Sequence, residues 1–333
     1  MTEDDLVAAL AELLTAARGA KLTIGIGDDA AAWRPSRSRL SVISTDSLVE
    51  GVHFTRHTIT PQELGERALG AALSDLAAMG ARPVLATVAL GLPNTVSAPF
   101  VCELYRGINT LALRTRTIIA GGDIVRAAEI SLCVTVVGEV RRSHLKRRNG
   151  ARAGDAIAVT GLLGASRAGL EILKQPALLT SAAAHERVAL EDAVRLHRTP
   201  QPRLREGAWL AASTSVTAMM DISDGLSTDL ARMSAASGCS AELQTIPAAP
   251  AALYVAEHTG EAPEGFTLSA GEDFELLLAV RKRAFQYLAR RFRLRFGREL
   301  HCIGAFTEGS GLFLRKGQAK QRLESKGWDH LRV

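Results

Sequence analysis

Cysteine is scarce in this chain of 333 residues: only Cys102, Cys133, Cys239 and Cys302 occur, far apart and without a C-x-x-C pair. That spacing excludes a zinc knuckle and a disulfide framework, and it fits a reducing compartment. Aromatic residues make up 5% of the chain, and no recognised nucleic-acid motif accompanies the small excess of positive charge, 40 Lys and Arg against 35 Asp and Glu. Nucleic acid is therefore not an expected partner. No apolar run reaches the ~20 residues of a membrane span. The start, MTEDDLVAALAELL, carries acids where a secretory signal carries bases. The expectation is a cytoplasmic protein with no membrane partner. A phosphate loop of the form G-x-x-x-x-G-K-[ST] is missing as well, which removes the common nucleotide-binding solution.

What is present suffices for a sizeable core: 47% hydrophobic residues and 29 glycines over a length that suits two domains. LSVISTD (40–46), VLATVALGL (84–92), TIIAG (117–121) and EISLCVTVVGEV (129–140) are rich in Val, Ile and Thr and read as strands. Between them the clearest helix runs from Pro61 to about Met79. Thr60-Pro61-Gln62-Glu63 forms a capping box with proline at the first helical position, and Gly80 supplies the stop. A second helix is expected over 97–115. After the basic stretch KRRNGARAGD the pattern restarts, with strands at 155–161, 215–221, 274–280 and 300–306 and helices near 185–196, 203–213, 225–237 and 282–296. The expected boundary lies near residue 145, dividing the chain into 1–144 and 145–333.

GIGDDAAAW, residues 25–33, opens with G-x-G-x-x-A, the fingerprint of a dinucleotide-binding turn. That turn needs a helix to begin within it. Arg34-Pro35-Ser36 follows at once and leaves no room for one. The motif also places Asp28 and Asp29 where a phosphate would sit, an arrangement that calls for a cation between them.

Further acids stand where loops meet regular structure: Asp46 at the end of a strand, Asp123 after Gly121-Gly122, and Asp221 and Asp224 in DISDGL. Each has a plain alternative as a helix cap or turn residue, and for Asp224, followed by Gly225 and a helix, capping is a serious rival. Asp75 is different. It falls on the inward stripe Leu64, Ala68, Ala72, Asp75, Met79, in the last helical turn, where the helix dipole disfavours it, and no Lys or Arg shares the stripe. Several carboxylates without a His or Cys cluster favour Mg²⁺, which takes one or two carboxylates per ion and bridges phosphate oxygens.

GIGDDAA, ISTDSLVEGVHF, LSDLAAMGARP, GGD, DISDGLSTDL and GEDFELL, in that order and covering about Gly25 to Trp328, resemble the thiamine-monophosphate kinases, a family within the aminoimidazole ribonucleotide synthetase superfamily. The resemblance implies an α/β (α+β) two-domain synthetase-like fold. Its N-terminal domain has a mixed sheet that binds ATP and Mg²⁺ and joins a partner's in a homodimer, and its C-terminal α/β domain completes the active site. It implies ATP-dependent phosphorylation of thiamine monophosphate to thiamine diphosphate with several Mg²⁺ ions. By position, Asp29, Ser44, Thr45, Asp46, Asp75, Asp123, Asp221 and Asp224 match the metal ligands, with Asp75, Asp123 and Asp221 closest to the chemistry. Gly122, Asp123, Arg148 and Ser223 match nucleotide contacts, and His53, Glu272 and Trp328 match residues that meet the thiamine end.

These assignments have alternatives. His53 could be a strand-end histidine, Glu272 could cap the strand at 274, and Trp328 could close the C-terminus over the core. Arg148 stands in a basic run that reads equally as a solvated face, and a shift of one position selects Arg147. Ile124 replaces the threonine that usually follows the GGD block. A sister enzyme of the superfamily would need a reactive cysteine or selenocysteine near the N-terminus, or a cysteine at the extreme C-terminus, and neither is present. A nonenzymatic nucleotide or metal sensor and a two-metal phosphatase are the remaining alternatives. Since the acceptor phosphate is already anionic, no histidine base and no phosphoenzyme are expected.

Overall fold

The computed structural model describes residues 3–14, 22–24 and 30–324. The chain divides into two compact units, one of Met1–Leu76 with Ala81–Ser143 and one of Ala77–Gly80 with His144–Val333.

In the first unit, α1 (Glu3–Leu13), β1 (Leu22–Ile24) and β2 (Ala32–Trp33) precede β3 (Leu40–Val49), α2 (Pro61–Ala78), β4 (Arg82–Leu92), α3 (Ala98–Thr115), β5 (Ile118–Arg126) and β6 (Ser131–Val140). Four strands form a mixed sheet in the order β3-β6-β4-β5. Only β4 and β5 run parallel, and α3 supplies the crossover that parallel neighbours require. Alternation sorts the two faces: Ala86, Val88, Leu90, Leu132, Val134 and Val136 are buried on the side of α2, whereas Ile43 and Val125 on the other side are 71% and 52% exposed.

The capping box expected for α2 forms: the Glu63 carboxylate accepts from the Thr60 amide at 2.8 Å, and Thr60 Oγ1 accepts from the Glu63 amide at 3.2 Å. Helices α2 and α3 cross closely because both carry glycine at the contact. A Cβ on Gly65 would lie 2.0 Å from the Leu104 carbonyl oxygen, and one on Gly107 would lie 1.8 Å from that of Gln62.

The second unit contains β7 (Asp155–Val159), α4 (Ala165–Lys174), α5 (Ala177–Thr180), α6 (Ala184–Arg198), α7 (Leu204–Ala211), β8 (Val216–Asp221), α8 (Leu226–Ser237) and β9 (Ser240–Leu243). It continues with α9 (Pro250–Thr259), α10 (Pro263–Leu268), β10 (Leu276–Arg281), α11 (Lys282–Phe296), β11 (His301–Thr307), β12 (Leu312–Lys316) and β13 (Ala319–Leu323). A seven-stranded sheet, β13-β12-β9-β11-β7-β10-β8, is antiparallel except where β12 meets β9.

The central strands are apolar throughout because both faces are covered. Ile157, Val159 and Leu277 pack with Leu226, Leu230 and Met233 of α8. Ala158, Leu276 and Leu278 pack with Leu210 of α7 and Phe285, Leu288 and Phe292 of α11. A third cluster joins Ala168 and Ile172 of α4 to Leu190 of α6, Val255 of α9 and Phe266 of α10.

Several details differ from expectation. β3 runs on to Val49 and β5 to Arg126, so Asp46 lies within a strand rather than at its end, and Asp123 within a strand rather than after it. Of the basic run at 146–148, Lys146 is buried and its ammonium donates to the carbonyls of Ser213 and Val216 at 2.9 and 2.7 Å, with burial lowering its pKa. Residues 25–29 lie outside the described residues, and the segment after them forms β2, not a helix.

Candidate active site

In the first unit the candidate ligands are sorted by the alternation of β3. Ser44 and Asp46 fall on the side of α2, and Ser44 Oγ donates to Asp75 Oδ2 at 2.5 Å. Asp75 is thus half-buried and held by a hydroxyl at the rim of the sheet, rather than enclosed by the apolar stripe on which the sequence puts it. Thr45 points the other way, its hydroxyl 2.5 Å from that of Thr135 on β6. The register continues that face across the sheet from Thr135 through Thr87 and Ala89 to Gly121 and Asp123. Asp123 and Thr45 therefore share the open face, while Ser44, Asp46 and Asp75 lie on the helix-covered one.

Gly122 serves strand pairing: a Cβ there would meet the Val88 carbonyl oxygen at 2.0 Å. His53 lies in the turn after β3, where Nδ1 accepts from the Val49 amide at 3.1 Å and the His53 carbonyl accepts from the buried Arg67 at 3.2 Å. Beside this turn a cavity of about 820 Å³ is lined by Glu50, Arg56, His57 and Glu129, with Arg56 Nε 2.6 Å from Glu50 Oε1. Sequence reasoning did not select Glu50 or Arg56, whose pairing depends on the return of the turn at Gly51.

In the second unit Asp221 ends β8, buried, and the next residues form a loop. The fully buried Asp229 in the first turn of α8 accepts from the amides of Ser223 and Asp224, each at 3.0 Å. Burial pushes the Asp229 carboxyl up to about 6 against these amides and the guanidinium of Arg232. Arg232 bridges Asp229 and Asp224. Asp224 does not cap α8, whose N-cap is Gly225.

This loop is joined to the segment before β10. The Glu272 amide donates to the Ser223 carbonyl at 2.7 Å, the Phe274 amide to that of Ile222 at 2.9 Å, and the Ile222 amide to that of Glu275 at 2.8 Å. Glu272 has φ 62° and Phe274 φ 49°, both in the left-handed region, so Glu272 lies in a strained reversal four residues ahead of β10 and does not cap it.

Two carboxylates fix the reversal. Asp273 accepts from the amides of Gly164 and Ser166 at 2.6 and 3.1 Å, and burial pushes its carboxyl up to about 7 in spite of those bonds. Glu275 accepts from Arg203 Nε at 3.0 Å, and from Arg203 Nη2, Arg298 Nη2 and Thr160 Oγ1, each at 2.6 Å. Burial alone would raise its pKa, but the two guanidiniums outweigh burial and hold it below the usual carboxylate range. Asp229, Asp273 and Glu275 stand in the motifs DISDGLSTDL and GEDFELL, and their density of acids was the one available signal.

Arg147 and Arg148 are both exposed. Asp29 and Trp328 lie outside the described residues. Among the described residues no three His, Cys, Asp or Glu side chains converge on a point that would hold a metal by protein groups alone. No described helix is long and apolar enough to cross a membrane.

Residues 27–140 match the family AIR synthase related protein, N-terminal domain, and residues 152–325 its C-terminal domain. Thiamine-monophosphate kinase of Rhodopirellula baltica is 33% identical over 321 residues, covering 93% of this chain and 92% of that protein. The crystal structure of thiamine-monophosphate kinase from Stenotrophomonas maltophilia superposes with a TM-score of 0.79 at 32% identity, over 93% of this chain and 94% of the other. A structure described as AaThiL complexed with AMPPCP and TMP gives 0.77 at 30% identity, over 99% and 97%.

Proposed function

Since the chain belongs to the thiamine-monophosphate kinases of the AIR synthase related family, we propose that it performs its reaction by direct in-line transfer, with Mg²⁺ held on aspartates. It is an ATP-dependent enzyme that phosphorylates thiamine monophosphate to thiamine diphosphate. The observation that carries the geometric part is the 2.7 Å bond from the Glu272 amide to the Ser223 carbonyl, which ties the proposed acceptor residue to the proposed nucleotide loop.

The proposed ligands fit a hard cation. Ser44, Asp46 and Asp75 present a hydroxyl and carboxylates on one face of β3, and Asp221 and Asp224 flank a loop whose amides Asp229 already occupies. One or two carboxylates per site suit an ion that keeps several waters and completes its shell with phosphate oxygens. When bound, Mg²⁺ supplies neutralisation of the phosphate charge. Asp29, Thr45 and Asp123 are the other proposed ligands, Thr45 and Asp123 standing on the open face of the sheet.

An oxygen of the acceptor phosphate forms the new bond to the γ-phosphorus as the bridging bond to ADP breaks. The attacking oxygen carries no proton that must leave, so the chain's task is to position the two anions in line. Gly122, Asp123, Ser223 and Arg148 are proposed to hold the nucleotide, and His53, Glu272 and Trp328 the thiamine end. Glu272 offers a carboxylate to the thiazolium cation and Trp328 an aromatic face to the pyrimidine. A homodimer through the open face of the first unit's sheet is supported by Ile43 and Val125, which stand exposed on that face at its two edge strands, β3 and β5. A cytoplasmic setting accords with four widely spaced cysteines that are all free.

Incubation of the purified protein with ATP, Mg²⁺ and thiamine monophosphate should yield thiamine diphosphate and ADP in equal amounts. Inorganic phosphate released from thiamine monophosphate without ATP would identify a phosphatase instead, and ATP binding without turnover a sensor.

A further inference from the structure

Three non-glycine residues among those described have a left-handed backbone: Arg116, Glu272 and Phe274. Arg116 follows the end of α3, where such a residue is common. Glu272 and Phe274 instead flank a single residue, Asp273, and a buried phenylalanine with φ 49° persists only where its surroundings over-determine it.

Asp273 supplies that determination. Its two carboxylate oxygens accept from separate amides at the start of α4, Oδ2 from Gly164 and Oδ1 from Ser166. The same Ser166 turns its Oγ to Nδ1 of the buried His197 at 3.0 Å, and that nitrogen lies 3.8 Å from Glu272 Oε2. One turn of helix thus fixes both the backbone that carries Glu272 and the ring that faces its carboxylate. Glu275, gripped by Arg203 and Arg298, anchors the far side of the reversal.

We propose that Asp273 is a positioning residue for acceptor binding: by gripping the first turn of α4 it maintains the strained reversal that presents Glu272 to the thiamine end of the substrate. This rests on the reading of Glu272 as the residue that meets the acceptor. Without both acceptor oxygens the 272–274 backbone can relax toward ordinary φ values, and the Glu272 carboxylate swings out of place while the fold of the sheet remains.

Steady-state kinetics of Asp273→Asn, Glu272→Gln and the double variant test this at pH 8 and saturating Mg²⁺. Asparagine can serve only one of the two amides. Asp273→Asn should raise KM for thiamine monophosphate by about tenfold or more and KM for ATP by a clearly smaller factor, the latter through the Glu272 amide's bond to the Ser223 carbonyl. The double variant should be no worse than the worse single one, because both changes act on one contact. An unchanged KM for thiamine monophosphate in Asp273→Asn, an equal rise in both KM values, or multiplicative effects in the double variant would overturn the proposal. An unchanged KM in Glu272→Gln would overturn it together with the reading beneath it, which separates the two failures. Thermal unfolding monitored by circular dichroism verifies that each variant is folded. Should Asp273→Asn not fold, Asp273→Ser, which keeps a short capping acceptor, is read by the same criteria.

Discussion

A carboxylate gains its role from what surrounds it, and Asp75 and Glu275 show two opposite cases. Asp75 sits in the last turn of α2 against the helix dipole and accepts from the Ser44 hydroxyl. That environment suits a cation-binding group. Asp75→Asn keeps the acceptor for Ser44 and loses the charge, so the protein should fold normally while turnover falls about 30- to 150-fold, equivalent to ~2–3 kcal/mol on the barrier. Near-normal turnover at saturating Mg²⁺ would remove Asp75 from the ligand set.

Glu275 is already saturated by Arg203, Arg298 and Thr160. Its pKa is held below the ordinary 4.5, so its contribution to stability is present above that value and is lost as pH falls below it. Glu275→Gln should therefore cost about 3–5 kcal/mol at neutral pH, because two guanidiniums lose their partner. Urea unfolding at pH 7 and at pH 3.5 measures this, and the difference between variant and parent should narrow at the lower pH.

At the scale of elements, periodicity and capping residues located most helices and strands, since α2, α3, α8, α11 and the apolar central strands carry their signals locally. The short and weakly marked pieces were not legible. β9 has four residues, and the amides at the start of α4 are held by the distant Asp273 rather than by a side chain at the N-cap, Gly164. Strand ends were also missed at Asp46 and Asp123, because β3 and β5 continue for as long as neighbouring strands pair with them, which is a property of the sheet.

Glycine at a helix crossing is similar. Gly65→Ala would raise intrinsic helix propensity by about 1 kcal/mol, yet the new methyl would stand 2.0 Å from the Leu104 carbonyl oxygen. The close approach of α3 decides the sign, and a net loss of about 1–3 kcal/mol is expected in equilibrium unfolding. A gain would show that the helices move apart without penalty.

For the whole molecule, the open face of the first unit's sheet bears on assembly. Ile43 is 71% exposed in the middle of a ten-residue strand, next to a face that also carries Thr45, Thr135 and Asp123. If that face is the proposed homodimer contact, Ile43→Glu should convert a species of roughly twice 35.4 kDa into one of 35.4 kDa in light scattering after size exclusion. An unchanged mass would place the contact elsewhere or show that the chain is monomeric.

By itself the sequence determined the elements with strong local patterns, the lack of a phosphate-loop motif, and the acids among which the ligands are proposed. These depend on spacing, composition and order along the chain, which any stretch of residues carries with it. Only the tertiary structure decided that Ser44 meets Asp75 while Thr45 turns to Thr135, that Asp229 takes the amides beside Asp224, and that Asp273 and Glu275 pin the reversal at Glu272. Those outcomes pair groups from 5 to about 110 positions apart in sequence, and which partners meet is set by strand register and helix packing, quantities that no local stretch contains.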